Sequence, residues 1–123
     1  VERVLGWFFA PLVWLAGIPW AEAQTAGSIM GLKTALNEIF AYDALAGAGD
    51  ELSARSRLIM TYAVCGFANF SSVGILIGGL IAVAPSRRAD ILSLAPRALI
   101  SGTLATLMTG AVIGALPGGL FGL

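Results

Sequence analysis

The spacing of charges divides the chain before anything else does. The longest uncharged run extends from Leu58 to Ser86. As one straight helix at about 1.5 Å per residue it would measure roughly 43 Å, more than the roughly 30 Å hydrocarbon core of a bilayer. Tilt could absorb the excess, and so could a break where Asn69, Ser71, Ser72 and Gly74 lie together near the middle; the expectation is a broken transmembrane helix over 58–86. A second uncharged run, Ala98 to Leu116, is closed by Pro117-Gly118-Gly119 and predicts a final transmembrane helix over 98–116. Its Ser101, Gly102, Thr103, Thr106, Thr109, Gly110 and Gly114 suit packing against other helices.

The first half of the chain has shorter apolar stretches. Val4 to Trp20 holds Trp7, Phe8, Phe9, Trp14 and Trp20 and is interrupted by Pro11 and Pro19. It is short for a span, and tryptophan favours the headgroup level. The expectation over 1–20 is an interfacial helix ending near Gly17-Ile18-Pro19, with a tilted span as the alternative. In the segment 22–48, two short helical halves flank Asn37-Glu38. Neither half can cross alone, so the pair reads either as a re-entrant hairpin or as an amphipathic surface helix. Irregular backbone at membrane depth is tolerated only when buried in protein or lining a cavity. Gly47 to Arg57 and Pro85 to Arg97 carry turn and charge signals and read as loops. Three arginines in the second, against two in the first, place it on the cytoplasmic side.

Composition agrees with a membrane setting. Hydrophobic residues make up 58% and charged residues 11%, against about 25% charged in soluble domains, and mean hydropathy is +0.89. The formal net charge of zero gives no attraction to nucleic acid. There is no histidine, and the single cysteine, Cys65, can form neither an internal disulfide nor a thiolate zinc site. No metal spacing, phosphate loop or nucleophile–base pair occurs, so the chain reads as neither an enzyme nor a cofactor protein. No signal-peptide pattern is recognisable at the start, and the first residue, Val1 in place of Met, suggests a fragment or trimmed chain.

Three polar positions stand out in this apolar background. A carboxylate near the bilayer centre costs about 2.5–3.5 kcal/mol on insertion scales. Glu38 therefore needs a partner, a proton or a ligand if it sits at a hairpin tip, and needs nothing if it is solvated at the surface. Asn69 and Ser72 share a face if that stretch is helical, and they serve either as ligand contacts or as helix–helix glue. Together, a carboxylate, an amide and a hydroxyl match a neutral polyhydroxyl ligand such as a sugar, while the carboxylate would repel phosphates.

These residues stand in a familiar setting. Leu32-Lys33-Thr34-Ala35-Leu36-Asn37-Glu38-Ile39-Phe40-Ala41-Tyr42 resembles the second re-entrant hairpin of concentrative nucleoside transporters. Thr61 to Gly74, with Cys65-Gly66-Phe67-Ala68-Asn69-Phe70-Ser71-Ser72, resembles the broken helix that follows it, and Phe9-Ala10-Pro11-Leu12-Val13-Trp14-Leu15 resembles the interfacial helix that precedes it. The resemblance implies an all-α membrane protein of two inverted repeats, of which this chain looks like the second. It implies that Glu38, Asn69 and Ser72 bind ribose and that Phe67 lies beside the ligand. It further implies elevator-like symport of nucleoside driven by Na⁺ or H⁺, a homotrimer, and a multi-pass location in the cell (inner) membrane with the C-terminus outside the cytoplasm. The nucleobase contacts and the coupling-ion site belong to the first repeat, so this chain alone is not expected to transport. Two rivals are an ion-conducting channel with Glu38 in its pathway and a structural membrane module without ligand.

Overall fold

The computed structural model describes residues 2–123. Its first helix, α1 (Glu2–Leu15), is ended by local chemistry. Gly17 adopts a φ of +103°, its N–H donates to the Trp14 carbonyl at 2.9 Å, and the Ile18 N–H donates to the Val13 carbonyl at 3.2 Å. These are the two closing bonds of a Schellman cap, which calls for glycine at the left-handed position. Pro19 follows, and α2 (Trp20–Ala35) departs at 119° to α1. The segment expected as one helix over 1–20 thus stops at Leu15, and Trp20 opens the next helix.

α1 and α2 form the most extensive helix pairing of the described residues. Small residues allow it. A Cβ on Gly27 would collide with the Gly6 carbonyl and lie 2.9 Å from the Ala10 nitrogen, both rigid backbone atoms. Gly27→Ala should therefore cost about 1–3 kcal/mol, read as a lowered thermal midpoint of the protein in detergent. An unchanged midpoint would show that the two backbones can separate freely.

α2 is followed, after Leu36 and Asn37, by α3 (Glu38–Gly47). A 3₁₀ turn (Gly49–Glu51) leads to α4 (Ala54–Ala63), so Arg55 and Arg57 lie in the first turns of a helix rather than in the expected loop. Ser53 caps α4 through its hydroxyl. The Glu22 carboxylate accepts from the Ser53 N–H at 3.0 Å and hydroxyl at 3.2 Å, fastening the base of α2 to the start of α4.

The chain leaves helical geometry again over 64–69 and resumes as α5 (Phe70–Val83). The interruption therefore precedes Ser71 and Ser72, which stand in the first turn of α5. After a 3₁₀ turn (Pro85–Arg87), α6 spans Arg88–Ala115. Sequence signals placed a loop over 85–97 and began this helix at Ala98. Instead Arg88, Asp90 and Arg97 lie on exposed helical positions. Asp90 occupies the first turn, where a carboxylate complements the helix dipole, and pairs with Arg87 at 2.5 Å. Pro96 removes one backbone bond, to the Leu92 carbonyl, without ending the helix.

The core gathers where α1, α2, α4 and α6 meet, around Val13, Ile18, Met30, Ile59, Met60, Val64 and Leu107. Gly110 and Gly114 bring α6 against Ile59 and Ala63 of α4, and the Arg55 guanidinium donates to the Gly114 carbonyl. No residue of α5 is buried. Large apolar side chains face outward on α1, α5 and α6, with Ile75 76% and Val83 85% exposed. α6 with the turn before it is long and apolar enough to cross a membrane, α1 and α2 reach that criterion as a bent pair, and α5 is a shorter apolar helix.

Candidate functional site

Both helix interruptions restart on an asparagine. Asn37 caps α3, its Oδ1 accepting from the Ile39 N–H at 3.0 Å and the Phe40 N–H at 3.3 Å. Asn69 caps α5, its Oδ1 accepting from the Ser72 N–H at 2.7 Å. A side-chain oxygen at this position satisfies donors that a helix start leaves unpaired. The cap also fixes the amide orientation, because the oxygen must face the helix and the NH₂ must face away. That NH₂ donates to Glu38 Oε2 at 3.3 Å.

Glu38 is the first residue of α3, where the helix dipole favours a carboxylate. It is half-buried, whereas Asn69 is fully buried. Among the described residues only its Oε2 is engaged. The Tyr42 hydroxyl donates to the Thr61 carbonyl at 2.9 Å and ties α3 to the last turn of α4, holding the two interruptions side by side.

The four residues singled out in the sequence are gathered in two steps. Glu38, Asn69 and Ser72 form one chain of contacts through the Asn69 amide. Ser72 also lines, with the exposed Phe67, a cavity of about 310 Å³ whose remaining wall is Ala68, Val73, Leu76, Ala98 and Leu99. Glu38 and Asn69 are not on that wall, so the carboxylate reaches Ser72 through Asn69 rather than across the cavity. Chemically the site offers a carboxylate with acceptor capacity to spare, a hydroxyl and an aromatic face. Among the described residues no group of three or more acidic, cysteine or histidine side chains gathers to hold a metal.

Two residues of this region were not singled out by the sequence. Tyr42 carries the tether just described. Lys33, in the last turn of α2, is fully buried, and its Nζ has no hydrogen-bond partner among the described residues. Its signal was present: it is the only charge between Ala23 and Leu36, and an ionisable residue in such a stretch is a functional candidate by default.

Residues 1–114 match the family model described as the Na⁺-dependent nucleoside transporter C-terminus. The chain belongs to this family. Similar relatives include the uncharacterized transporter YutK of Bacillus subtilis, 46% identical over 93% of this chain and 28% of its own length. The putative nucleoside permease NupX of Escherichia coli is 43% identical over 93% and 28%, and human solute carrier family 28 member 3 is 40% identical over 94% and 19%. Among solved structures, CNTnw in an inward-facing substrate-bound state superposes with a TM-score of 0.84 at 40% identity, covering 93% of this chain and 29% of that one. An intermediate state of a CNTnw variant gives 0.88, also at 40% identity, over 99% and 31%. The all-helical architecture is thus that of this transporter family, and the chain spans under a third of the length of these relatives.

Proposed function

We propose that this chain supplies the ribose-binding half-site of a cation-coupled nucleoside symporter. The observation that carries the reading is the Asn69 amide, which joins the Glu38 carboxylate to the start of α5. A carboxylate accepts well from two vicinal hydroxyls, and charge-assisted bonds of this kind contribute about 1.5–3 kcal/mol each. The relative from Escherichia coli, a putative nucleoside permease, and the family itself, that of Na⁺-dependent nucleoside transporters, support the substrate class. On this reading Glu38, Asn69 and Ser72 hold the ribose, Phe67 lies beside the ligand, and the coupling ion, Na⁺ or H⁺, binds outside this chain.

The same reading assigns the helices to a bilayer. α1 lies at the interface, α2 and α3 form a re-entrant hairpin, α4 and α5 form a broken span, and α6 crosses. The protein is a multi-pass homotrimer of the cell membrane, with the turn at Arg87 and Arg88 on the cytoplasmic side. The outward-facing apolar side chains support this, because exposed apolar surface on such a scale marks membrane or protein contact.

The decisive experiment is competition for uptake by the full-length transporter. Uridine should compete for labelled uridine far better than its 2′,3′-dideoxy analogue, by about tenfold or more for each lost charge-assisted bond. Equal competition by the two would remove the ribose-reading role. Ionic current without saturable nucleoside uptake would favour a channel.

A further inference from the structure

α6 runs beside the end of α4 and the interruption after it in a fixed register. A Cβ on Gly114 would meet Ile59 and one on Gly110 would meet Ala63. A Cβ on Gly66 would fall on the methyl of Thr106, and one on Gly102 would lie 2.8 Å from the Ala68 Cβ. Each step of four residues along α6 covers about 6 Å. α4 matches the first step with four residues, from Ile59 to Ala63. The next step takes three, to Gly66, and the last takes two, to Ala68. A chain leaving the helix requires this shortening, because an extended residue advances about 3.3 Å against about 1.5 Å in a helix. The stretch through Phe67 is therefore laid out along α6 and supported by it on both sides of the ring.

Of the four α6 positions in this register, three are glycines and only Thr106 carries a side chain. A β-branched residue has few rotamers in a helix. The Thr106 hydroxyl donates to the Thr103 carbonyl at 3.0 Å, and the methyl is the group left facing Gly66. Phe67 follows immediately. It is 73% exposed and lines the cavity that Ser72 shares. Beyond it Asn69 is anchored by its own bonds to Glu38 and to the Ser72 N–H. A displacement of Gly66 is thus taken up between two fixed points, at Phe67.

We propose that Thr106 is a positioning residue for Phe67: its methyl sets how deeply the interruption seats on α6, and so where the aromatic face stands beside the ligand. Thr106 does this from outside the binding surface, through Gly66. This inference rests on Phe67 lying beside the nucleoside.

The test moves one methyl group across the contact in the full-length transporter. Gly66→Ala adds it, and Thr106→Ser removes its counterpart while keeping the hydroxyl. With the methyl gone, the nearest Thr106 atoms to the added Cβ are Cβ at 3.5 Å and Oγ1 at 3.8 Å, which is ordinary contact. Gly66→Ala should raise half-saturation for uridine about fivefold or more, the scale of losing one aromatic contact with a base. The pair Gly66→Ala with Thr106→Ser should return it to within about twofold of the parent. In a Phe67→Ala background Gly66→Ala should leave half-saturation unchanged, while its lowering of the thermal midpoint persists. A loss undiminished in Phe67→Ala would overturn the proposal, and so would a pair that recovers the midpoint but not the half-saturation. If Gly66→Ala does not fold, Thr106→Ser alone decides: half-saturation should rise about twofold or more with Phe67 present and stay fixed without it. Equal responses in the two backgrounds would reject the role. Parent-like half-saturation in Phe67→Ala itself would instead show that Phe67 does not lie beside the ligand, and the inference would fall with that reading.

Discussion

In the full-length transporter, Glu38→Gln should lower uridine uptake at subsaturating concentration by about 10- to 150-fold, with little change in thermal stability. The amide keeps the shape of the side chain and one acceptor oxygen, so the Asn69 NH₂ retains a partner and the hairpin has no reason to open. The negative charge is lost. A carboxylate holding two vicinal hydroxyls makes two charge-assisted bonds of about 1.5–3 kcal/mol each, and the neutral amide retains roughly half of that, leaving a deficit of about 1.5–3 kcal/mol. Since about 1.4 kcal/mol is tenfold in affinity, the deficit corresponds to the stated range. The measurement is labelled uridine uptake into proteoliposomes holding equal amounts of each protein. Unchanged half-saturation would remove Glu38 from the site.

Substitution of Asn69 separates two roles that one side chain performs. In Asn69→Ala the start of α5 loses its cap, a cost of about 0.5–2 kcal/mol. Unpaired buried polar groups left behind add about 1–3 kcal/mol. A destabilisation of about 1.5–5 kcal/mol is expected, together with lost uptake by the full-length transporter. Asn69→Asp keeps an oxygen for the Ser72 N–H and therefore keeps the cap. It replaces the amide donor to Glu38 with a second carboxylate, and two carboxylates in contact disfavour joint ionisation. Asn69→Asp should therefore be destabilised near neutral pH, recover toward the parent midpoint as the pH falls and the two carboxyls share a proton, and lose uridine affinity as severely as Glu38→Gln. Parent-like affinity in Asn69→Asp would show that the contact at 3.3 Å has no part in recognition.

Part of this arrangement is legible in the sequence, for identifiable reasons. The gaps between charges mark the long apolar segments, and Asn69 followed by Ser71 and Ser72 carries the cap that restarts α5. The other edge of that interruption is hidden, because Val64, Cys65, Phe67 and Ala68 are as apolar as the helix before them. The start of α6 is misread for the opposite reason. Arg88, Asp90, Pro96 and Arg97 look like a loop, yet an exposed helix face accommodates all of them. The contact between Glu38 and Asn69 joins positions 31 apart, beyond the reach of periodicity, and only resemblance to a family suggested that they meet. The charge of Lys33 is plain in the sequence, but its enclosure depends on how distant segments fold around it.

The guanidinium of Arg55 on the Gly114 carbonyl has a bearing on biosynthesis. The two residues are 59 positions apart, and at about 5–20 residues per second the ribosome needs about 3–12 s to travel from one to the other. Throughout that interval α4 has been made but its partner helix has not, so the half-helices that carry Asn69 wait without their clasp. A truncation before Gly114 would leave α4 held to α2 through Glu22 and to α3 through Tyr42, but without the clasp that fixes it against α6.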